Sequence, residues 1–455
     1  MRRKKNNSSF LTLFFIVALI SGGLYVYFSS TFERVAPEVT LETNGFWNFK
    51  EPLHLKISDK SGIKAYKISM KSSAGIKALQ YEKLIMPVGS LELEIEPPKG
   101  MYALKDKTIE ILVEANDMSK WNMLNGNVTS KQFTLTIDKR RPHVSIISNS
   151  YKISRGGSAL VVFHMKDDNL EEFYVLGNND KRFKAQPFYK EGYYIALLAW
   201  PVTDRGFKAT VIAKDSAGNI TKSYVPLYLK DKTYKVSKIN LSDKFLKGKI
   251  YELSEEFEET QGVEGSLEQF KIINEEVRAK NEQLIHEITS KVSDEMISDF
   301  HIDRIYPLDH GQVVAHFGDH RRYYYENKFI SEAYHLGIDL ASYAMAPIQS
   351  QNEGDVVYTD FNGLYGNMPV ISHGLGLYTL YGHCSSIDVV TGEHISANIK
   401  IAKTGKTGYA MGDHLHFGVL VQGIEVRPQE WMDAQWIKLN ISDIIDEAKK
   451  IIDQR

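Results

Sequence analysis

Residues 412–421 read Gly412-Asp413-His414-Leu415-His416-Phe417-Gly418-Val419-Leu420-Val421, two histidines one residue apart at the head of an apolar run. Side chains on an extended strand alternate between its faces. Leu415, Phe417 and Val419 therefore share one side, and His414, His416 and Gly418 the other. Upstream, Tyr334-His335-Leu336-Gly337-Ile338-Asp339-Leu340-Ala341 has the same pattern. Leu336, Ile338 and Leu340 fall on one face; His335, Gly337 and Asp339 fall on the other. Both segments predict strands that bury an apolar row and present imidazole or carboxylate beside glycine. The alternative, a helical i,i+4 pair of His335 and Asp339, is weakened by Gly337 and by the strict alternation. If the polar rows meet, His335, Asp339 and either His414 or His416 surround one point. Two imidazoles and a carboxylate suit a catalytic zinc, which keeps three protein ligands and an open position. Magnesium or calcium would want mostly oxygen. The single cysteine, Cys384, excludes an intramolecular disulfide framework and a cysteine-based structural zinc site.

A further histidine extends the pattern. Thr379-Leu380-Tyr381-Gly382-His383-Cys384 puts His383 at the end of an apolar strand, entering a turn. The segments HLGID (335–339), YGH (381–383), TGKTGYAMGD (404–413) and HLHFGV (414–419) stand in this order. Together they resemble the LytM-type (lysostaphin-like) zinc peptidases of the M23 class, over roughly residues 303–434. The combination is specific, although each motif alone is not. The resemblance implies zinc as cofactor, with His335, Asp339 and His416 as its ligands, and His383 and His414 as a catalytic pair beside the metal. Either of the two could be the base. It also implies peptidoglycan as substrate, with hydrolysis of its peptide stems or cross-links.

Neighbouring residues carry weaker expectations. Leucine usually follows the Tyr-x-His of the family, so Cys384 reads as a small packing residue in its place. His373 resembles a structural position, and Arg321 and Arg322 fall where the family often has an arginine near the cleft mouth. Tyr381 and Thr407 are expected in the cleft wall or in packing. His310, His316, His320 and His394 have no partner pattern.

The rest of the chain supplies context. Four basic residues in residues 1–9 precede an uncharged stretch from Phe10 to Ser30. About 20 apolar residues cross a bilayer, and basic flanks stay cytoplasmic. Residues 10–30 therefore predict a transmembrane signal anchor, and the bulky Tyr25-Val26-Tyr27-Phe28 argues against a cleaved signal peptide. Residues 36–230 alternate in the manner of strands and repeat at an offset of about a hundred residues, the scale of a small β-sandwich. Pro37-Glu38-Val39-Thr40-Leu41 resembles Pro142-His143-Val144-Ser145-Ile146, and Val113-Glu114-Ala115-Asn116-Asp117 resembles Val211-Ile212-Ala213-Lys214-Asp215. The second copy is similar to bacterial Ig-like modules. Beyond it, Leu267, Phe270, Ile273, Val277, Leu284 and Ile288 recur at helical spacing after a possible capping box at Ser266.

The expected fold is mainly β and multidomain. A basic segment (1–9) and the transmembrane anchor (10–30) lead to two Ig-like β-sandwiches (36–139 and 140–232). A helical connector (238–300), an antiparallel β peptidase domain (301–434) and a C-terminal helix (435–455) follow. With 55 basic against 57 acidic residues, the chain has no nucleic-acid signature. The expected setting is the inner membrane, single-pass, with the C-terminal domains in the periplasm and cell-envelope partners on the Ig-like modules. Two alternatives stand beside the peptidase. One is a catalytically inactive LytM-fold regulator that activates another wall hydrolase. The other is an adhesin or scaffold working through the Ig-like modules.

Overall fold

The computed structural model describes residues 8–100, 104–178 and 180–455; of the basic segment expected over residues 1–9, residues 1–7 lie outside the described residues. The first element is the helix Ser8–Phe28. Its stretch Phe10–Phe28 is unburied, and it is the one helix among the described residues long and apolar enough to cross a membrane.

The chain forms two compact units. The first holds the residues up to Arg141 together with Asn169–Glu171 and Lys214–Ile220; the second holds the remainder. In the first, one sheet runs in the order Glu38–Glu42, Leu53–Ser72, Thr108–Asp117, Val128–Ile137, Phe46–Trp47, with Gly75–Ile95 also on Leu53–Ser72. The long strand Leu53–Ser72 changes partners midway. Residues 54–58 pair with Glu38–Glu42, and residues 63–71 pair with Thr108–Asp117. Its register slips between Ser58 and Ile63, and such irregularities bend a sheet. Both halves consequently feed one core, in which Val39, Leu55 and Ile57 pack with Ile68, Ile111 and Val113.

The second unit begins with two four-stranded sheets. One is Arg182–Phe183, Leu170–Leu176, Thr210–Asp215, Ile220–Tyr224; the other is Gln186–Pro187, Tyr193–Ala199, Ser158–Lys166, His143–Asn149. The strand Ser158–Lys166 is buried on both faces over most of its length, as is Tyr193–Ala199. Their continuous apolar runs fit strands covered on both sides. The second covering comes from the end of the chain. Ser158 N–H donates to Glu430 Oε2 (2.9 Å), Trp431 Nε1 donates to Ser158 Oγ (3.2 Å), and Ser150 Oγ donates to Asn440 O (2.8 Å).

The connector packs on the strands that follow it. Val236–Asn240 lies parallel to His320–Tyr325, which continues antiparallel into Lys328–Tyr334. Ser266–Ile272 runs through Ile273–Val277 into Arg278–Thr289. Ser266 is the first helical residue after Gly265, so the expected capping box does not form. Phe270, Ile273 and Val277 are buried in one core with Tyr323, Ala333 and Leu364.

The last domain is built on an eight-stranded sheet. Its order is Gln312–Ala315, Ile338–Ala341, Leu415–Val421, Leu377–Gly382, Val370–Ser372, Gly354–Tyr358, His394–Ile395, with Ile424–Val426 on Leu415–Val421. A smaller sheet joins Pro347–Ser350, Ile399–Lys403 and Ser386–Ile387. The helix Asp443–Asp453 buries Ile444, Ile445, Ala448 and Ile452. The protein is thus mainly β, with an apolar N-terminal helix and a β domain at its C-terminus.

Candidate active site

The middle of the large sheet sets the geometry. Across three antiparallel strands, Asp339 stands opposite His416 and His416 opposite Gly382. Directly opposed residues share a sheet face, so Asp339 and His416 emerge side by side, and Gly382 leaves room beside them. His335 arrives differently from the sequence expectation. The strand starts only at Ile338, and His335 lies in the link from Lys328–Tyr334. There its N–H donates to Asp319 O (3.0 Å) and its C=O accepts from Gly318 N–H (2.7 Å). The chain turns at this point because those bonds tie His335 to the Gly318–Asp319 segment instead of to a ladder.

Three donor atoms converge. His335 Nε2 lies 3.0 Å from Asp339 Oδ1 and 3.1 Å from His416 Nδ1, and His416 Nδ1 lies 2.9 Å from Asp339 Oδ1. All three residues are buried, at 5%, 8% and 6% exposure in chain order. His335 Nδ1 is 2.9 Å from His316 O. Since a carbonyl only accepts, that nitrogen carries the proton and Nε2 presents a lone pair. Two imidazole nitrogens and a carboxylate oxygen packed this closely form a group that could hold a metal ion. Tetrahedral zinc with ligand bonds of about 2.0–2.2 Å sets its donors about 3.3 Å apart, close to the observed triangle. The donor set fits zinc, with the carbonyl of His316 fixing one ring from behind.

Burial by itself would raise the Asp339 carboxyl, but the close His335 and His416 imidazoles hold it well below the ordinary range. His416 is pushed down by burial, partly offset by its bond to Asp339.

The other two histidines stand beside this triangle. The rings of His383 and His414 are 4.8 Å apart, and His383 is 5.9 Å from His416. His383 Nδ1–H donates to Thr407 O and His414 Nδ1–H to Gly412 O, both at 2.8 Å. Each therefore keeps Nε2 for the cleft, and that of His414 is 3.8 Å from Asp339 Oδ1. Burial, helped by His416 and His414, pushes His383 down to about 3, so it is neutral at physiological pH. Its backbone is left-handed, with φ of 65°, a conformation that non-glycine residues seldom adopt outside functional turns.

All five side chains line one cavity of about 570 Å³. Arg321 lines it too, with Nη2 3.9 Å from Asp339 Oδ2. Arg322, one position along the strand, points away and pairs with Glu332 at 3.5 Å. Tyr381 does not reach the cleft; it packs on Phe417 at 5.4 Å. Thr407 works from behind, receiving His383 and donating Oγ1–H to Cys384 O (3.0 Å). Cys384 is buried with its thiol pushed up to about 12, in keeping with a packing role. His373 lies outside the cavity and hydrogen-bonds Glu353 O and Thr379 Oγ1.

Several contributors escaped sequence reasoning. Ile239, Leu241, Phe245 and Arg278 of the connector form part of the cleft wall. Tyr365, edge-on to His416 at 5.4 Å, accepts His383 N–H at its carbonyl (2.7 Å). Phe245 stacks on Tyr409 at 6.0 Å. The periodicity of the connector marked its apolar face but not the surface that face covers.

Residues 333–428 match the family model described as Peptidase family M23. Peptidoglycan DD-endopeptidase ShyA of Vibrio cholerae serotype O1 is 35% identical over 129 residues, 28% of this chain and 29% of its own. DD-carboxypeptidase/endopeptidase Mpg of Neisseria meningitidis serogroup B is 33% identical over 94 residues, 21% of this chain and 22% of its own. The chain thus spans less than a third of the length of these relatives. Among solved structures, a zinc-containing peptidase from Vibrio cholerae covers 77% of this chain and 87% of its own, at 15% identity and a TM-score of 0.28. Over residues 333–428 the chain carries a domain of peptidase family M23.

Proposed function

We propose that the protein is a membrane-anchored, zinc-dependent endopeptidase that hydrolyses peptide stems or cross-links of bacterial peptidoglycan. The observation that carries this reading is the buried triangle of His335, Asp339 and His416 with His383 and His414 beside it in one cleft. The names of the relatives, DD-endopeptidase and DD-carboxypeptidase/endopeptidase, support the substrate class.

His335, Asp339 and His416 would hold the ion. A bound zinc supplies Lewis-acid polarisation of a carbonyl and a water nucleophile usable at neutral pH. The remaining chemistry belongs to the two free imidazoles. Thr407 O and Gly412 O fix their Nδ1 protons, so each Nε2 can accept a proton from water or return one to the leaving amine. Arg321 offers a cation at the cleft for substrate carbonyls or carboxylates.

The exposed apolar helix Ser8–Phe28 is read as a single-pass anchor in the inner membrane, with the domains after it in the periplasm. The two N-terminal β modules are read as Ig-like, available to cell-envelope partners. An inactive regulator would need none of the five cleft residues, and all five are present.

The test measures zinc content of the purified protein and analyses peptidoglycan digests by mass spectrometry. His416→Ala should lose the metal. His414→Ala should retain most of it and lose turnover by about 100-fold or more. Neither metal nor cleavage in the unmodified chain would sink the enzyme reading, and the cleaved bond would identify the substrate linkage.

A further inference from the structure

We propose that the end of the first unit nearest the helix Ser8–Phe28 is a lipid-binding face, which seats that unit on the bilayer surface. The inference rests on reading that helix as a membrane anchor.

The face is assembled around the few residues that follow the helix. Lys120 N–H donates to Thr31 O (2.8 Å), Ser119 Oγ–H to Glu33 O (2.6 Å), and Asn127 Nδ2 to Glu33 O (3.0 Å) and Val35 O (3.3 Å). These bonds tie the loop between Thr108–Asp117 and Val128–Ile137 to residues 31–35. A membrane-spanning helix ending at Phe28 leaves its next few residues in the headgroup zone, which adds about 5–7 Å to each side of the hydrocarbon core. Whatever is bonded to residues 31–35 must sit at the same depth.

What the loop presents there is apolar. Met118, Met123 and Leu124 are exposed, Met123 at 93%. Asn122, Met123 and Leu124 all take left-handed backbone, which non-glycine residues rarely adopt, and two large apolar side chains are left in the open. A second apolar element lies alongside. Met118 N–H donates to Gly62 O (2.8 Å), and Pro87 packs so closely on Gly62 that a Cβ there would lie 2.8 Å from it. That brings the exposed Ile85 and Met86 of the Gly75–Ile95 strand to the same end.

The polar features match a bilayer surface as well. Arg34 stacks on the rings of Tyr27 (4.9 Å) and Trp121 (4.3 Å), linking the last turn of the helix to the loop. Aromatic rings with a cationic partner are favoured at the membrane interface. Arg34, Lys60 and Lys120 are exposed around the apolar side chains, positioned for lipid phosphates. The acidic groups at this end, Glu33, Asp59 and Asp117, cluster together, with Glu33 Oε2 and Asp117 buried. Asp117 is buried and accepts from Ser119 N–H and Asn127 N–H, while Asp59 accepts from Ser61 and Gly62. Apolar tips, an aromatic–arginine link and a basic rim, all held at the outer end of an apolar helix, specify lipid over a protein partner.

The experiment uses the full chain in vesicles of phosphatidylethanolamine and phosphatidylglycerol. Single positions are labelled with a small fluorophore through Met123→Cys, Leu124→Cys, Ala74→Cys and Leu13→Cys; the native Cys384 is buried and does not label. Ala74 lies at the opposite tip of the long hairpin, about 40 Å from Gly62 at 3.3 Å per residue. Lipids carrying a nitroxide near the glycerol end should quench the labels at 123 and 124 several-fold more than that at 74. Quenching at 13 with no difference between 123 and 74 would overturn the lipid face while leaving the anchor intact. No lipid quenching at 13 would remove the anchor reading, and the face with it. Shielding of 123 that rises with protein concentration, without lipid quenching, would overturn the proposal in favour of a second copy of the chain.

Discussion

Gly337 shapes the proposed metal site from outside its ligand set. A Cβ at this position would lie 2.6 Å from Cε1 and Nε2 of His416 and 2.7 Å from Phe417 O. The backbone opposite cannot yield, so the His416 ring would have to move. Gly337→Ala is therefore expected to weaken zinc binding by about tenfold or more. It should also destabilise the fold by about 1–3 kcal/mol. Chelator competition and thermal unfolding measure the two effects, and unchanged affinity would show that the ring has room. At this scale much was legible. The alternation in HLGIDLA and HLHFGV placed Asp339 and His416 on polar rows, and they stand opposite each other. The position of His335 was not legible, because its turn depends on bonds to Gly318 and Asp319, some sixteen residues earlier.

Among the elements, the connector helix has the most indirect effect on the chemistry. Asn281 Oδ1 accepts Leu364 N–H (2.8 Å), and its backbone C=O accepts from Asn362 Nδ2 (3.2 Å). Gly363 is held left-handed there, with Asn281 filling the space a side chain would need. The next residue but one, Tyr365, accepts His383 N–H. The helix thus braces the loop that positions His383, one of the two imidazoles proposed for catalysis. Asn281→Ala leaves the Leu364 N–H without its acceptor, at a cost of about 1–3 kcal/mol. It should lower turnover by about tenfold through misplacement of His383, while zinc content stays the same. Kinetics alongside metal analysis would separate this from simple unfolding, which would lose both. The helical period of residues 266–288 predicted an apolar stripe, and Phe270, Ile273 and Val277 are indeed buried. A period cannot say what a stripe will cover. Here the stripe packs on Tyr323, Ala333 and Leu364.

Across the second unit, the β module before the connector and the end of the chain share a buried seam whose charged group is Glu430. Burial raises its carboxyl to about 7 from an ordinary 4.5, with Arg427 and the Ser158 N–H acting in the opposite sense. A folded value above the unfolded one means that the protonated acid is favoured in the fold. Its contribution is full below about pH 4.5 and is lost as pH rises through about 7. Glu430→Gln, which mimics the protonated acid, should match the parent near pH 4.5. At pH 8 it should be more stable by on the order of 1–3 kcal/mol. Denaturant melts at the two pH values test this; equal stability at both would mean that the carboxylate is well paired. Gly157 leaves no slack at this seam, since a Cβ would meet Glu430 Oε1 at 2.5 Å.

The amino-acid sequence alone determined the mainly β class, the apolar N-terminal helix and the set of histidine and aspartate residues from which a metal site could be made. These are local properties, carried by alternation, hydropathy and ligand chemistry over a few residues. Tertiary structure decided the rest. It brought His335 to a turn, set Tyr365 and Thr407 behind His383, laid the connector along the cleft, and buried both faces of Ser158–Lys166. Each of these depends on contacts between segments tens to hundreds of residues apart. Such contacts are chosen by packing and hydrogen-bond satisfaction across the whole fold, and no local pattern encodes them.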